Sequence, residues 1–432
     1  MTTGTAEALA PARPDTRASL RIAVVNWGRR HLGGAESYIA GILPELHRLG
    51  HELAFWSELD DPRDRDPIPL PPGTAEWCAG ELGLDRALQE LRDWRPDLLF
   101  VHVVTRPEVE AALLEIAPAV LYTHGYLGAC ISGERMLKNP VPTPCGRQFG
   151  LGCLVHYFPD RCGGLSPLTM IRDYRLNVQR RDLLPAYRAI VTNSAHVREV
   201  YARHLADGSR LHSIPLPVPP SAGEPARPWV PGAEGWRLLF TGRMALLKGG
   251  RLFLEALPEV TRRLDRPVHV TFAGDGPDRA EWERRADQAR ARAGGRLTIE
   301  FVGWVEGDAL DALRDRSDLL VVPSLWPEPF GLVGPEAGLR GVPAVAFASG
   351  GIGDWLIEGV NGYLAPANPP TASGLAEAIV RALGSEARYE ALREGAIRVA
   401  TRFSRTAHVE ALSRVFAAAV ERNPQPVGVT RP

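Results

Sequence analysis

The stretch from Val321 to Gly351, VVPSLWPEPFGLVGPEAGLRGVPAVAFASGG, leaves this chain few ways to fold. Leu319 to Pro323 is an apolar run that reads as a buried strand, and it breaks at Trp326-Pro327-Glu328-Pro329. The chain resumes as a short helix whose start is marked by Gly331, Gly334 and Pro335, since proline is tolerated only in a helix's first turn. A second apolar run, Pro343 to Ala348, follows. Two such strands joined by a crossover helix make a βαβ unit, so the strands run parallel.

A helix N-terminus approached by a glycine-containing loop presents free N–H groups and the positive end of the helix dipole, which together suit a phosphate. Here the loop is Phe330, Gly331 and Leu332, and Glu328 and Glu336 flank it. A carboxylate repels a phosphate, so the two acids read as hydrogen-bond acceptors for hydroxyl groups on either side of it. A phosphate with hydroxylated groups on both flanks describes a nucleotide sugar.

The segment from Glu328 to Glu336, with seven residues between the acids and PFG among them, resembles the E-x7-E signature of the retaining glycosyltransferases of family 4. The resemblance implies an α/β chain of GT-B fold, two Rossmann-like domains whose parallel sheets face each other across a cleft. It also implies that Glu328 faces the donor sugar and Glu336 the ribose. Gly33-Gly34-Ala35-Glu36 follows the first strand, Leu20 to Trp27, and is similar to the family's GGAE loop. That likeness places Gly34 against the donor phosphate or the acceptor; a plain tight turn is the other reading. His124 ends the strand Ala119 to Thr123, where parallel sheets bind ligands, and the family carries a histidine there facing the donor sugar. A loop histidine held by hydrogen bonds is the alternative.

The second half opens with the strand Trp236 to Thr241 and then Gly242-Arg243-Met244-Ala245-Leu246-Leu247-Lys248-Gly249. The fork of donors on Arg243 and the point charge of Lys248 suit a diphosphate, and GR-x4-KG resembles the family's pyrophosphate site. Gly303, at the end of the strand Leu297 to Val302, stands where the family seats the nucleotide base. Gly350-Gly351-Ile352-Gly353-Asp354 departs from the family's GG-x-PE.

The segment 128–164 breaks the βα rhythm and holds Cys130, Cys145, Cys153 and Cys162, with His156 among them. A loop this long is usually functional or stapled. A structural zinc on the four thiolates, ordinary reduced thiols, and disulfides all stay open. Ser166-Pro167 then caps a helix to about Arg181 whose apolar residues Leu168, Ile171, Tyr174 and Val178 recur at helical spacing,. Its arginines read as a solvated face, or as a peripheral contact with an anionic membrane.

The expected organisation is an unstructured tail over 1–18, an acceptor-side domain over 19–214, a proline-rich linker over 215–235, a nucleotide-sugar domain over 236–403, and a last helix over 404–432 that crosses back to the first domain, as the resemblance implies. Lys and Arg (50) nearly cancel Asp and Glu (51), which gives no reason to expect nucleic acid as a partner. No apolar run is long enough to span a bilayer and the N-terminal segment lacks a signal-peptide core. The expectation is a cytoplasmic protein, working there or at the inner face of the membrane. The expected activity is retaining transfer of a sugar from a nucleotide-sugar donor to a glycan, lipid-linked or small-molecule acceptor in envelope polysaccharide assembly, with no cofactor required for catalysis. Asp64-Arg65-Asp66 has the D-x-D form of metal-dependent transferases but reads as solvated loop. A glycoside hydrolase, a nucleotide-sugar epimerase of the same fold and a non-catalytic sugar-nucleotide binder are the rival readings.

Overall fold

The computed structural model describes residues 19–31, 33–60, 65–218 and 235–421. The expected tail, most of the linker and Asp64 lie outside the described residues. Two parallel sheets organise the chain. The first is built from β1 (Arg21–Asn26), β2 (Glu52–Ser57), β3 (Ala75–Cys78), β4 (Leu98–Val101), β5 (Ala119–Thr123) and, beyond a small antiparallel ladder of β6 (Met136–Leu137) and β7 (Thr143–Pro144), β8 (Ala189–Thr192) and β9 (Leu211–Ser213). Its order is β3-β2-β1-β4-β5-β8-β9. β8 is followed by a further edge strand, β9, of three residues, too short to leave a pattern in sequence.

The second sheet comprises β10 (Trp236–Thr241), β11 (Val268–Ala273), β12 (Leu297–Gly303), β13 (Leu319–Val322), β14 (Ala344–Phe347) and β15 (Gly362–Ala365), in the order β12-β11-β10-β13-β14-β15. Both sheets reverse direction of winding beside their first strand, and ligands of doubly wound sheets bind outside the carboxyl ends of the strands at that switch point. In the first half this is the crevice between β1 and β4, and in the second between β10 and β13.

Helices cover both faces. Those of the first half are α1 (Gly34–Arg48), α2 (Ala79–Leu82), α3 (Leu84–Trp94), α4 (Pro107–Leu114), α5 (Gly152–His156), α6 (Pro167–Leu183) and α7 (Ala195–Ala202). In the second half follow α8 (Gly250–Arg263), α9 (Arg279–Arg292), α10 (Gly307–Asp315), α11 (Val333–Leu339), α12 (Ala372–Leu383), α13 (Glu386–Ala400) and α14 (Arg405–Glu421). Alternation sorts the first sheet's side chains. Ala23, Val25, Trp56 and Val101 face one core, and Ile22, Val24, Phe55, Phe100 and Tyr122 the other. α14 belongs to that second core: Val409, Leu412 and Phe416 pack beneath the first sheet with Ile39 and Leu43 of α1. The last helix is therefore part of the first half's core although it follows the second half in sequence.

The cysteine-bearing segment forms a small core of its own from Ile131, Phe149, Tyr157 and Cys162, against which Met170, Tyr174 and Val178 of α6 pack. Ser166 caps α6 by accepting from the Thr169 N–H at 3.4 Å. The apolar stripe expected on this helix splits, since Leu168 is 80% exposed and Ile171 42% exposed while Tyr174 and Val178 are covered. Met136 from the same segment is fully buried in the core of the second half, so the insertion bridges the two.

Candidate active site

The residues singled out above sit at strand ends, and local chemistry explains how they meet. Gly249 has a left-handed backbone (φ +71°), and a Cβ there would lie 1.7 Å from the carbonyl oxygen of Pro323. Only glycine lets the turn after β10 lie flat against the end of β13. Leu325 N–H donates to the Leu247 carbonyl at 2.8 Å across the same contact. Lys248 is thereby brought to Glu328, with Nζ 2.6 Å from Oε1.

Glu328 is buried and also accepts from Ser324 Oγ at 2.6 Å. It stands behind Lys248 and does not line the cleft, whereas the residues after it do. Gly331 (φ +86°) then turns the chain into α11, and Trp355 Nε1 donates to the Phe330 carbonyl at 2.7 Å, pinning that turn. Pro335 falls in the first turn of α11.

Glu336 emerges one turn further on and pairs with Arg314 of α10 through Oε2. Arg314 also holds Asp311 at 2.8 Å. Burial raises the Glu336 carboxyl above the ordinary carboxylate range, and the Arg314 charge works against that rise. Arg314 occupies one oxygen and leaves the other for a hydroxyl.

Two cavities meet at Glu336. One, of about 410 Å³, lies over the switch point of the second sheet, lined by Gly242, Gly274, Trp304, Leu310, Arg314 and Glu336. The other, of about 1040 Å³, is the cleft between the halves. Gly34, Tyr38, His124 and Asn193 line it from the first half, and Lys248, Phe330, Gly331, Leu332 and Glu336 from the second. Arg405 of α14 and Arg65 add cations to its wall. Arg65 is exposed on a loop, as read from the sequence, and that loop borders the cleft. Arg243 is exposed, lies outside the lining of both cavities and makes no hydrogen bond or ion pair among the described residues. Gly303 accepts from the Gly274 N–H at 2.7 Å and shapes the strand end beside the smaller cavity, whose rim is Trp304.

His124 is half-buried in the cleft wall, and burial pushes its imidazole down to about 3, so it is neutral at ordinary pH. His102, at the end of β4, was not picked out from sequence, nor were Arg314, Tyr38 and Arg405. His102 obeys the same end-of-strand rule that marked His124. Arg314 and Arg405 carry no local signal: Glu336 reaches Arg314 from another helix, and Arg405 meets the cleft only because α14 packs back against the first half.

The four thiols of the insertion are free, with no disulfide among them. They stand close enough that burial and the neighbouring thiols together push Cys162 up to about 12. Among the described residues no three His, Cys, Asp or Glu side chains are placed to hold a metal ion. Cys162 belongs to the small core and Cys153 packs against it, while Cys130 Sγ lies 3.6 Å from Ser132 Oγ.

Comparison with known families places these features. Residues 32–222 match the model described as Glycosyltransferase Family 4, and residues 235–385 the one described as Glycosyl transferases group 1. Among curated proteins, a glycogen synthase of Mycobacterium tuberculosis is 36% identical over 195 residues, 44% of each chain. A D-inositol 3-phosphate glycosyltransferase of Salinispora tropica is 30% identical over 252 residues, 54% of this chain and 52% of that protein. The chain thus spans about half the length of the curated relatives it matches. Among solved structures, Anabaena HepE in complex with UDP and glucose aligns with TM-score 0.61 at 17% identity over 92% of this chain and all of that one. Sucrose-phosphate synthase of Thermosynechococcus elongatus aligns with TM-score 0.62 at 20% identity, over 92% of this chain and 98% of that one. A glycosyltransferase model thus matches on each side of the linker, and the chain has the two-domain GT-B fold.

Proposed function

We propose that this chain transfers a sugar from a nucleoside diphosphate donor to an acceptor hydroxyl, with retention of the anomeric configuration. The observation that carries the reading is the cleft itself. It sets one neutral histidine from the first half opposite a cation, a glycine turn and a carboxylate from the second. The smaller cavity suits the nucleoside, with Glu336 at its seam able to accept from a ribose hydroxyl. The solved HepE structure holds UDP and glucose, which supports a nucleoside diphosphate here.

Arg243 and Lys248 would carry the charge of the departing diphosphate, an electrostatic contribution available without a metal ion. Lys248 is already half-neutralised by Glu328, so Arg243 is the freer charge. Glu328 would act from behind Lys248, fixing its position. No nucleophile stands out in the cleft, which favours attack on the donor's own face, with the leaving phosphate taking the acceptor's proton. An envelope glycan or its lipid-linked precursor is the acceptor class we favour, with the work done in the cytoplasm or at its membrane. Among the described residues no helix is long and apolar enough to cross a membrane.

The test is to incubate the protein with a panel of nucleotide sugars, with and without cell-envelope extract, and to read the anomeric proton coupling of the product by NMR. Transfer with the donor's own anomeric configuration supports the reading. An inverted product removes the retaining mechanism, and an epimerised nucleotide sugar without transfer removes the transferase reading.

A further inference from the structure

Two histidines end neighbouring strands and touch. His102 follows β4, His124 follows β5, and His102 Nδ1 lies 3.0 Å from His124 Nε2. Burial keeps both imidazoles neutral, so the contact holds one proton, given by one ring to the other. Which ring gives it decides what His124 shows to the cleft.

The answer lies on the far side of His102. Its Nε2 is buried, with no hydrogen-bond partner among the described residues. The ring is packed against Phe100 at 4.4 Å between centroids and against the edge of Tyr38 at 5.7 Å. A neutral imidazole has one N–H and one bare nitrogen. A proton on Nε2 would be a buried donor with nothing to receive it, and orphaned buried N–H groups are rarer than orphaned acceptors. The proton therefore belongs on Nδ1, where His124 Nε2 accepts it. His124 must then carry its own proton on Nδ1, the nitrogen that makes no bond to protein among the described residues. Its ring lines the cleft beside Gly34, Lys248 and Glu336.

We propose that His102 is a positioning residue that fixes His124 as the Nδ1–H tautomer, so that His124 meets the cleft as a hydrogen-bond donor and not as a proton acceptor. The partner of that N–H is an oxygen of the bound sugar. A general base would need the lone pair of His124, and that lone pair is spent on His102. The identity of the sugar partner rests on the transferase reading above, whereas the tautomer does not.

The experiment is a long-range 1H–15N correlation at pH 7 on the chain labelled with [15N]histidine, with His124 assigned by the signal lost in His124→Asn. The expected pattern is a protonated Nδ1 and an unprotonated Nε2. A protonated Nε2 in the wild type overturns the proposal. His102→Asp, whose carboxylate only accepts, should reverse the pattern, and an unchanged His124 spectrum in that variant, folded by its melting temperature, also overturns it. If the variant does not fold, the wild-type spectrum alone decides. On a donor that supports turnover, His102→Asp should lower kcat by about tenfold while the Kd for UDP stays within about twofold. An unaltered kcat would overturn the positioning role. Failure of the wild type to turn over any donor would count against the transferase reading and would leave the NMR pattern to be judged by itself.

Discussion

At the scale of single residues, the two cations of the second half are set in different surroundings, and the difference predicts different phenotypes. Arg243 is exposed and makes no ion pair among the described residues, so Arg243→Ala should lower turnover by roughly 2 to 4 kcal/mol of transition-state stabilisation with the melting temperature unchanged. Lys248 holds the buried Glu328 at 2.6 Å, and removing it leaves that carboxylate with Ser324 as its remaining partner, a loss of stability below the roughly 3 to 5 kcal/mol of a fully stranded buried charge. Lys248→Ala should therefore lose both turnover and stability. Thermal melts beside single-turnover kinetics separate the two, and an Arg243→Ala protein that melts early would contradict this division. In the insertion, burial and the other thiols hold the Cys162 thiol up at about 12, and a thiol that stays protonated is a poor nucleophile. Cys162 should resist iodoacetamide at pH 8 in the native protein and react once unfolded, as peptide mass analysis would show; rapid native alkylation would contradict its burial. That Glu336, Lys248 and His124 come to one cleft was legible in sequence because each lies in a short run with glycine or proline whose backbone restrictions are local, whereas Glu328, expected to face the sugar, pairs with Lys248 outside the cleft lining. Arg314 and His102 were not legible, because what gives them meaning is a partner on another element.

At the scale of elements, the strands of both sheets were legible wherever four or more apolar residues run between turn residues, as in Ala119–Thr123 and Trp236–Thr241. β3, whose Glu76 and Trp77 do not present an apolar run, and the three-residue β9 escaped for want of that pattern. The helix α6 was placed within two residues, and half of its stripe is turned inward: Tyr174 and Val178 pack against the insertion as expected, Met170 joins them, and Leu168 and Ile171 face outward. α14 shows what the last helix contributes. Tyr38 of α1 donates to His408 Nε2 at 2.8 Å, and His408 Nδ1 donates to the Pro215 carbonyl at 2.7 Å, tying α14 to α1 and to the start of the linker. Burial pushes His408 down to about 4 and His124 to about 3. An imidazole whose folded pKa is below its unfolded one, near 6.5, takes up fewer protons folded than unfolded as the solution is acidified. Stability is therefore full above about pH 6.5 and falls as pH falls towards 4, by roughly 1.4 kcal/mol per pH unit for each such histidine. Melting temperature should drop between pH 7 and pH 5, and His408→Gln, which keeps an acceptor for Tyr38, should shallow that slope. An identical slope in the variant would mean that His408 is not part of the acid response.

At the scale of the whole molecule, the two halves touch through bonds as well as across a cavity. Tyr126 Oη donates to the Pro327 carbonyl at 2.6 Å, next to Glu328, and the Ala195 N–H at the start of α7 donates to Asp354 at 2.7 Å. Asp354 stands where the family's usual pattern has glutamate, so the departure seen in sequence falls at a contact between the halves. In the transfer proposed above, such contacts would set how the first half presents His124 to a sugar whose nucleotide the second half holds. Whether the halves make one transfer site is tested most directly by nucleotide release from the donor that the panel identifies, compared between wild type and His124→Ala together with nucleotide affinity. If they do, and the second half holds the nucleotide, its Kd should stay within about twofold of wild type while kcat falls by about a hundredfold or more, because positioning across the cleft is lost. A folded His124→Ala protein that releases nucleotide at the wild-type rate would contradict a single shared site.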